Sequence, residues 1–508
     1  MSSLFALLAV LGSASASVVP SPSTPSTLLV TSTAPSSGLA ECLKTSYYGT
    51  YGGQASTQDH IYLPTQECLT GESALDGLSA GSLVPLNFEN GNDGSRIVWV
   101  GQAGVDQEVL SLQNSEDAWT TISEVSREFA LLSSDDSAQQ VLSSTRSSSH
   151  SQPIRLLHQS PTSLLLHVPE SYLPMIDTFL PSHLVPVALP SKPLPALANG
   201  WEPVPSQFAR YLANVTKHLR FSPEVDKIVS DGIELNQIRR DVRWLTGEAP
   251  SGIVSRHSFT PGAIKAAHWI KDKVEATGAN CTLHTFIEGF SPNVICHYPS
   301  SLNSTEHVIL SAHYDSRGSF GSTRAPGGDD DGSGTGHLLG VAHAIGTQGV
   351  KFKKQVVLAF FAGEEQGLLG SHAYAEHLHE KNTTILLQVQ ADMLAYHAPG
   401  EPLQIGLPES IHLPEASWLI GNLSQIYSPE LVVGKTAACC SDHQSFVSYG
   451  FPATQVFERN GWIADPFYHN SGDLSQRDNY DFEQVVSIAK VTLSGLLTVA
   501  GYTLAEGA

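Results

Sequence analysis

The feature that most constrains this chain is a set of apolar runs whose C-terminal residues all carry chemistry. "VILSAHYD" ends in His313 and Asp315, "VVLAFFAGEE" in Glu364 and Glu365, and "ILLQVQAD" in Asp392. Helical patterns such as "GTGHLLGVAHAIG" and "GSHAYAEHLHE" separate them. Continuous apolar strands interleaved with helices indicate parallel strands covered on both faces. The expected fold is α/β: a mixed, mostly parallel sheet sandwiched by helices, preceded by a smaller β-rich N-terminal region. In open sheets of this kind the functional crevice lies beyond the carboxyl ends of the strands. The side chains that end these runs should therefore meet there.

"APGGDDDGSG", Ala325 to Gly334, adds three consecutive aspartates within a run of glycines. Much later, "ADPFYHNSGDL" offers His469 in a loop. Several carboxylates and two imidazoles in one crevice repel one another unless cations sit among them. Two histidines with Asp and Glu form a borderline-hard set that suits zinc better than calcium. A pair of ions would explain the excess of carboxylates, since one aspartate can bridge both. The adjacent glutamates can then divide their work, one holding metal and one acting as a base. His372, His377 and His379 read as a helix surface, and His337 and His343 as structural. His443 and Asp473 fall near the motifs and could support them or merely pack. Phe457, Phe446 and Met393 are candidates for an apolar pocket, with core packing as the alternative.

In this order, "AHYDS", "PGGDDDGSG", "AGEEQGLLGS", "QADM" and "YHNSGD" closely resemble the co-catalytic dizinc aminopeptidases of the bacterial and fungal secreted leucyl-aminopeptidase type. The resemblance spans roughly Phe221 to Leu504, with "DVRWLTG" and "FSPNVIC" adding to it. It implies Asp330 as the bridging ligand, with Asp331 across a cis peptide from it. It further implies His313 and Asp392 on one zinc, Glu365 and His469 on the other, Glu364 as general base, and Asp315 orienting His313. The expected cofactor is two Zn2+ per chain, and the expected substrate is the N-terminus of a peptide or protein. The chain departs from the pattern at Ala438, where relatives often place a Tyr, and at Thr436, where a disulfide partner is expected. Two alternatives stay open: a glutaminyl-cyclase-like acyltransferase that uses one zinc, and a non-catalytic binding protein on the same fold.

The 508 residues leave room for more than this half, and a net charge of −22 argues against nucleic acid. No membrane span is expected beyond the N-terminus, and a monomer is. Residues 1–17 read as a signal peptide, and 18–38 as a Ser/Thr/Pro linker unable to bury a core. Residues 39–195 form the β-rich region, read as a removable or inhibitory prodomain because they offer no ligands. A Pro-rich connecting segment over 196–225 leads into a catalytic domain at 226–505. Within it, "TPGAIKAAHWIKDKVEATGAN" sets Ile264, Ala267, Ile270 and Val274 on one helical face, with Gly278 as a stop. Sequons at Asn214, Asn280, Asn303, Asn382 and Asn422 fit an extracellular protein. So do six cysteines, with Cys42–Cys68 and Cys281–Cys296 as plausible local bridges and Cys439 beside Cys440.

Overall fold

The computed structural model describes residues 27–36, 38–52, 58–71, 75–86, 94–111, 154–195, 204–438 and 440–504, with part of 119–127. The expected signal peptide at 1–17 therefore lies outside the described residues. Two antiparallel sheets come first. β1 (Thr27–Thr31), β2 (Tyr47–Tyr51), β3 (Asp59–Tyr62) and β4 (Ser82–Pro85) pair in the order β2-β3-β1-β4. β5 (Arg96–Gln102), β6 (Arg155–Gln159), β7 (Ser163–Val168) and β8 (Leu184–Ala188) pair as β6-β7-β5-β8. The linker expected over 18–38 fails at β1. "TLLVT" is buried along its whole length, because a run of aliphatic and β-branched residues can pair with β3 and β4 whatever the composition around it.

The central sheet is the mostly parallel one that the apolar runs require. β9 (Asn280–His284), β10 (Asn293–Tyr298), β11 (Glu306–His313), β12 (Val350–Phe352), β13 (Gln355–Phe361), β14 (Thr384–Ala391), β15 (Gln404–Pro408), β16 (Val432–Thr436), β17 (Ala453–Val456) and β18 (Tyr502–Leu504) follow in the chain. Six of them form one sheet in the order β17-β14-β11-β13-β10-β9. β11 runs parallel to β13 and β14, and β14 parallel to β17, while β10 and β9 are antiparallel additions at one edge. Val308, Ile309 and Leu310 at its centre are fully buried; each such side chain contributes about 1.5–3 kcal/mol.

Helices cover both faces. Thr260 caps Pro261–Glu275 by accepting from the Ala263 amide, and Ala263, Ala267, Ile270 and Val274 are its buried stripe. Ile264, expected in that stripe, is 47 % exposed, so the face is rotated by one residue. The connecting segment also ends earlier than expected. Val204 and Leu212, on and before helix Ser206–Lys217, belong to the same core as the central sheet. Helix Phe482–Ala500 is apolar and long enough to cross a bilayer, contrary to expectation, but it lies mostly buried in that core. Disulfides Cys42–Cys68 and Cys281–Cys296 form as expected, the second directly across β9 and β10. Cys440 is disulfide-bonded, while Cys439 lies outside the described residues.

The N-terminal sheets close onto the central unit. Val105 bridges Ile463 in parallel, the Ile463 amide donates to the Gly104 carbonyl at 2.6 Å, and the Ala188 amide donates to the Gly367 carbonyl at 3.2 Å. One hydrophobic cluster joins Trp99, Val185 and Val187 to Leu368, Met393, Phe457 and Tyr468.

Candidate metal centre

β11 delivers His313 at its last residue, and β14 delivers Asp392 one residue past its end. The turn after β13 carries Glu364 and Glu365. The triple aspartate sits in the loop between β11 and helix Gly332–Thr347, and each of its members does something different. Asp331 caps the helix, its Oδ1 accepting from the Gly334 amide at 2.8 Å and the Met393 amide at 3.2 Å, and its Oδ2 from the His313 amide at 3.2 Å. Asp329 accepts from the Ala395 amide at 2.8 Å. Asp330 alone faces the cleft, and the peptide linking it to Asp331 is cis. Gly334 is required where the helix meets β14, since a Cβ there would lie 2.4 Å from the Ala391 carbonyl oxygen. Three neighbouring carboxylates are tolerated because buried N–H groups bind two of them.

Asp330 lies between the two imidazoles. Its Oδ1 is 3.2 Å from His313 Nε2, and its Oδ2 is 3.2 Å from His469 Nε2. Asp392 approaches His313 Nε2 at 3.7 Å, and Glu365 approaches His469 Nε2 at 3.2 Å. Two groups result, His313 with Asp330 and Asp392, and Asp330 with Glu365 and His469, and Asp330 is common to both. Four of the five side chains are buried and that of Asp392 nearly so. Asp315 lies 3.5 Å from His313 Nδ1, accepts from Ser258 Oγ at 2.9 Å, and faces the amides of Glu364 and Glu365 at 3.4 Å. The five expected ligands and Asp315 are thus brought together, and Glu364 lines the same cleft.

These residues fit a pair of zinc ions. Ligands bound at 2.0–2.1 Å in a tetrahedron lie about 3.3 Å apart, close to the 3.2–3.7 Å separations between these donors. His313 Nε2 and Glu365 Oε1 are buried without a hydrogen-bond partner, which is costly unless something else binds them. Charge points the same way. Burial would lower the proton affinity of His313, yet Glu364, Asp315, Asp330 and Asp392 outweigh it and hold the imidazole well above its ordinary range. Burial alone would raise Asp330, but the two imidazoles of His313 and His469, each 3.2 Å from it, hold it below the ordinary carboxylate range. The cleft demands positive charge, from protons or from cations. Glu364 is half-buried at its edge, and burial, reinforced by Glu365, Asp442 and Asp392, pushes its carboxyl well up.

The cleft is walled by Met393, Ala438, Cys440, Gln455, Phe457, Ile463 and Tyr468, together with Val185 and Pro186 from β8. Phe446 is not among them; on helix His443–Ser448 it packs against Phe361 and Tyr374 in the core. Asp473 turns out to hold the aspartate loop, accepting from the amides of Asp329 at 3.0 Å and Asp330 at 3.1 Å. His443 is buried and belongs to neither three-residue group. His337 bonds Thr492 Oγ1 at 2.6 Å and His343 meets Glu234 at 3.4 Å, both structural as expected.

Sequence reasoning missed Arg256, fully buried, which donates to the carbonyls of Tyr314 at 2.8 Å and Gly327 at 2.7 Å and so clamps the loop after β11. It also missed Arg317 and the segment around Ser182. A basic residue bound mostly to backbone carbonyls leaves no motif to read.

Residues 293–493 match Peptidase family M28. The chain is 28% identical over 298 residues to the "Probable leucine aminopeptidase" of Arthroderma otae, covering 55% of this chain and 76% of that protein. It is 28% identical over 282 residues to "Leucine aminopeptidase 1" of Metarhizium robertsii, covering 51% and 69%. Among solved structures, the LapA aminopeptidase of Legionella pneumophila superposes with a TM-score of 0.55 over 81% of this chain and 99% of that one, at 17% identity. LapB from the same organism gives 0.52 over 80% and 100%, at 16% identity. These two establish a shared fold.

Proposed function

From a chain that carries a Peptidase family M28 domain, we propose a secreted dizinc aminopeptidase that releases N-terminal residues from peptides and proteins. The observation that carries the reading is the pair of three-residue groups sharing Asp330. Two complete groups favour hydrolysis over the one-zinc cyclisation left open by the sequence. The leucine aminopeptidase relatives support the substrate class.

His313, Asp330 and Asp392 would hold one zinc, and Asp330, Glu365 and His469 the other. When bound, the ions would make a water more acidic and polarise the scissile carbonyl. Glu364, raised by burial and by its carboxylate neighbours, accepts the proton of the attacking water and returns it to the leaving amine. Asp315 orients the His313 ring and fixes the turn that presents Glu364 and Glu365. Met393, Phe457 and Ile463 offer an apolar surface to the N-terminal side chain, while the surplus of carboxylates suits a free α-ammonium group.

Secretion is supported by the disulfides and by exposure of all five sequon asparagines. The test is hydrolysis of aminoacyl anilides with and without an N-acetyl block, before and after chelation, alongside Glu364→Gln. Expected are turnover of free amines only, its loss on chelation, and retained metal with a rate about 10²–10⁴-fold lower in the variant. Chelator-resistant turnover, or cleavage of blocked substrates at an equal rate, would refute the proposal.

A further inference from the structure

The β-rich region reaches into the metal centre at one point. Ser182, just before β8, places its carbonyl oxygen 2.7 Å from His469 Nδ1. Arg317, on the loop after β11 and only 3 % exposed, grips the same segment. It donates to the carbonyls of Leu180 at 2.6 Å, Pro181 at 3.1 Å and Leu184 at 2.9 Å. Its Nη1 also lies 2.9 Å from His469 Nδ1.

One ring nitrogen cannot serve both neighbours. If Nδ1 carries the proton, it donates to the Ser182 carbonyl, and Nε2 turns a lone pair toward Asp330 and Glu365. If Nδ1 instead accepts from Arg317, the proton sits on Nε2 and that nitrogen cannot bind a cation. The shorter contact is to a carbonyl that can only accept, and Arg317 already has three other acceptors. Two further ties hold the segment. Asp177, fully buried, lies 3.1 Å from His257 Nε2, and β8 pairs with β5, whose end joins the Ile463 loop.

We infer that the segment 180–186 is a permanent part of the active site: the Ser182 carbonyl, braced by Arg317, sets the tautomer and angle of His469, and Val185 and Pro186 wall the cleft. The inference rests on the dizinc reading, in which His469 is a ligand. It replaces the expectation of a removable or inhibitory prodomain with that of a working wall. Ser182 and Arg317 are positioning elements, acting through His469.

The experiment uses the metal-free full-length chain, titrated with Zn2+ against a chromophoric chelator. The variants are Arg317→Met, Arg317→Lys and an ester in place of the 182–183 peptide, which weakens the Ser182 carbonyl as an acceptor. The wild type should take up two ions. Arg317→Met and the ester should each weaken one ion about 10- to 100-fold and leave the other unchanged, with Arg317→Lys intermediate. A purely structural defect would lower both affinities together, so the split is diagnostic; the ester alone decides if Arg317→Met fails to fold. Unchanged binding of both ions in the ester variant would overturn the inference while leaving the dizinc reading intact. A wild-type chain that binds fewer than two ions would overturn the dizinc reading itself.

Discussion

Asp473 offers the sharpest test of how the aspartate loop is held. Its carboxylate accepts from two buried amides, Asp329 N at 3.0 Å and Asp330 N at 3.1 Å, and receives Arg477 Nη2 at 3.1 Å. Asp473→Ala strands both N–H groups, at about 1–3 kcal/mol each, so the metal-free chain should lose about 2–6 kcal/mol. Arg477 keeps Asp465 at 2.9 Å and adds little to that loss. Asp473→Asn can still turn its amide oxygen to the two N–H groups, and should lose about half as much. The measurement is urea unfolding followed by circular dichroism. Because Asp330 serves both groups, loosening its loop should weaken both ions of the proposed dizinc centre, unlike the one-ion effect expected at Arg317. An Asp473→Ala chain with a wild-type midpoint and wild-type affinity for both ions would refute the reasoning.

Other outcomes follow from single contacts. Asp315→Asn should reduce affinity for the ion that His313 would hold in the proposed centre about 10- to 100-fold, read by the same chelator competition; an unchanged affinity would remove Asp315 from the support of that ring. Gly104→Ala would put a Cβ 2.4 Å from the Ala437 carbonyl oxygen and should cost about 1–3 kcal/mol through overpacking, seen as a lower urea midpoint. No shift there would mean that the N-terminal sheet does not close on the cleft wall. His337 is fully buried, and burial lowers its imidazole from 6.5 to about 3. Below pH 6.5 the unfolded chain binds the extra proton, so this residue's contribution is lost as pH falls, at about 1.4 kcal/mol per pH unit. Between pH 6 and pH 4.5, unfolding of His337→Gln should lack that part of the slope; parallel curves would contradict it.

The two halves of the molecule differ in how much of them could be read from the chain. Strand ends carry their chemistry in side chains, so His313, Glu364, Glu365 and Asp392 announce themselves where an apolar run stops. The fold of that half follows from the same runs, because only strands covered on both faces are apolar throughout. Composition misled at β1, whose five residues are strand-forming inside a Ser/Thr/Pro tract. Periodicity misled at Ile264, which stays exposed while Ala263 and Ala266 beside it are buried, a choice made by packing.

What the sequence alone determined is the set of groups that gather at the crevice and the charge they demand. Which of the three aspartates faces the cleft and which ones staple the loop depends on where the amides of Gly334, Met393 and Ala395 fall. The hold on His469 by Ser182, 287 residues away along the chain, was decided by tertiary structure alone. Every residue carries a backbone carbonyl, so its identity says nothing about which ring nitrogen it will meet; that is settled only when the sheets pack.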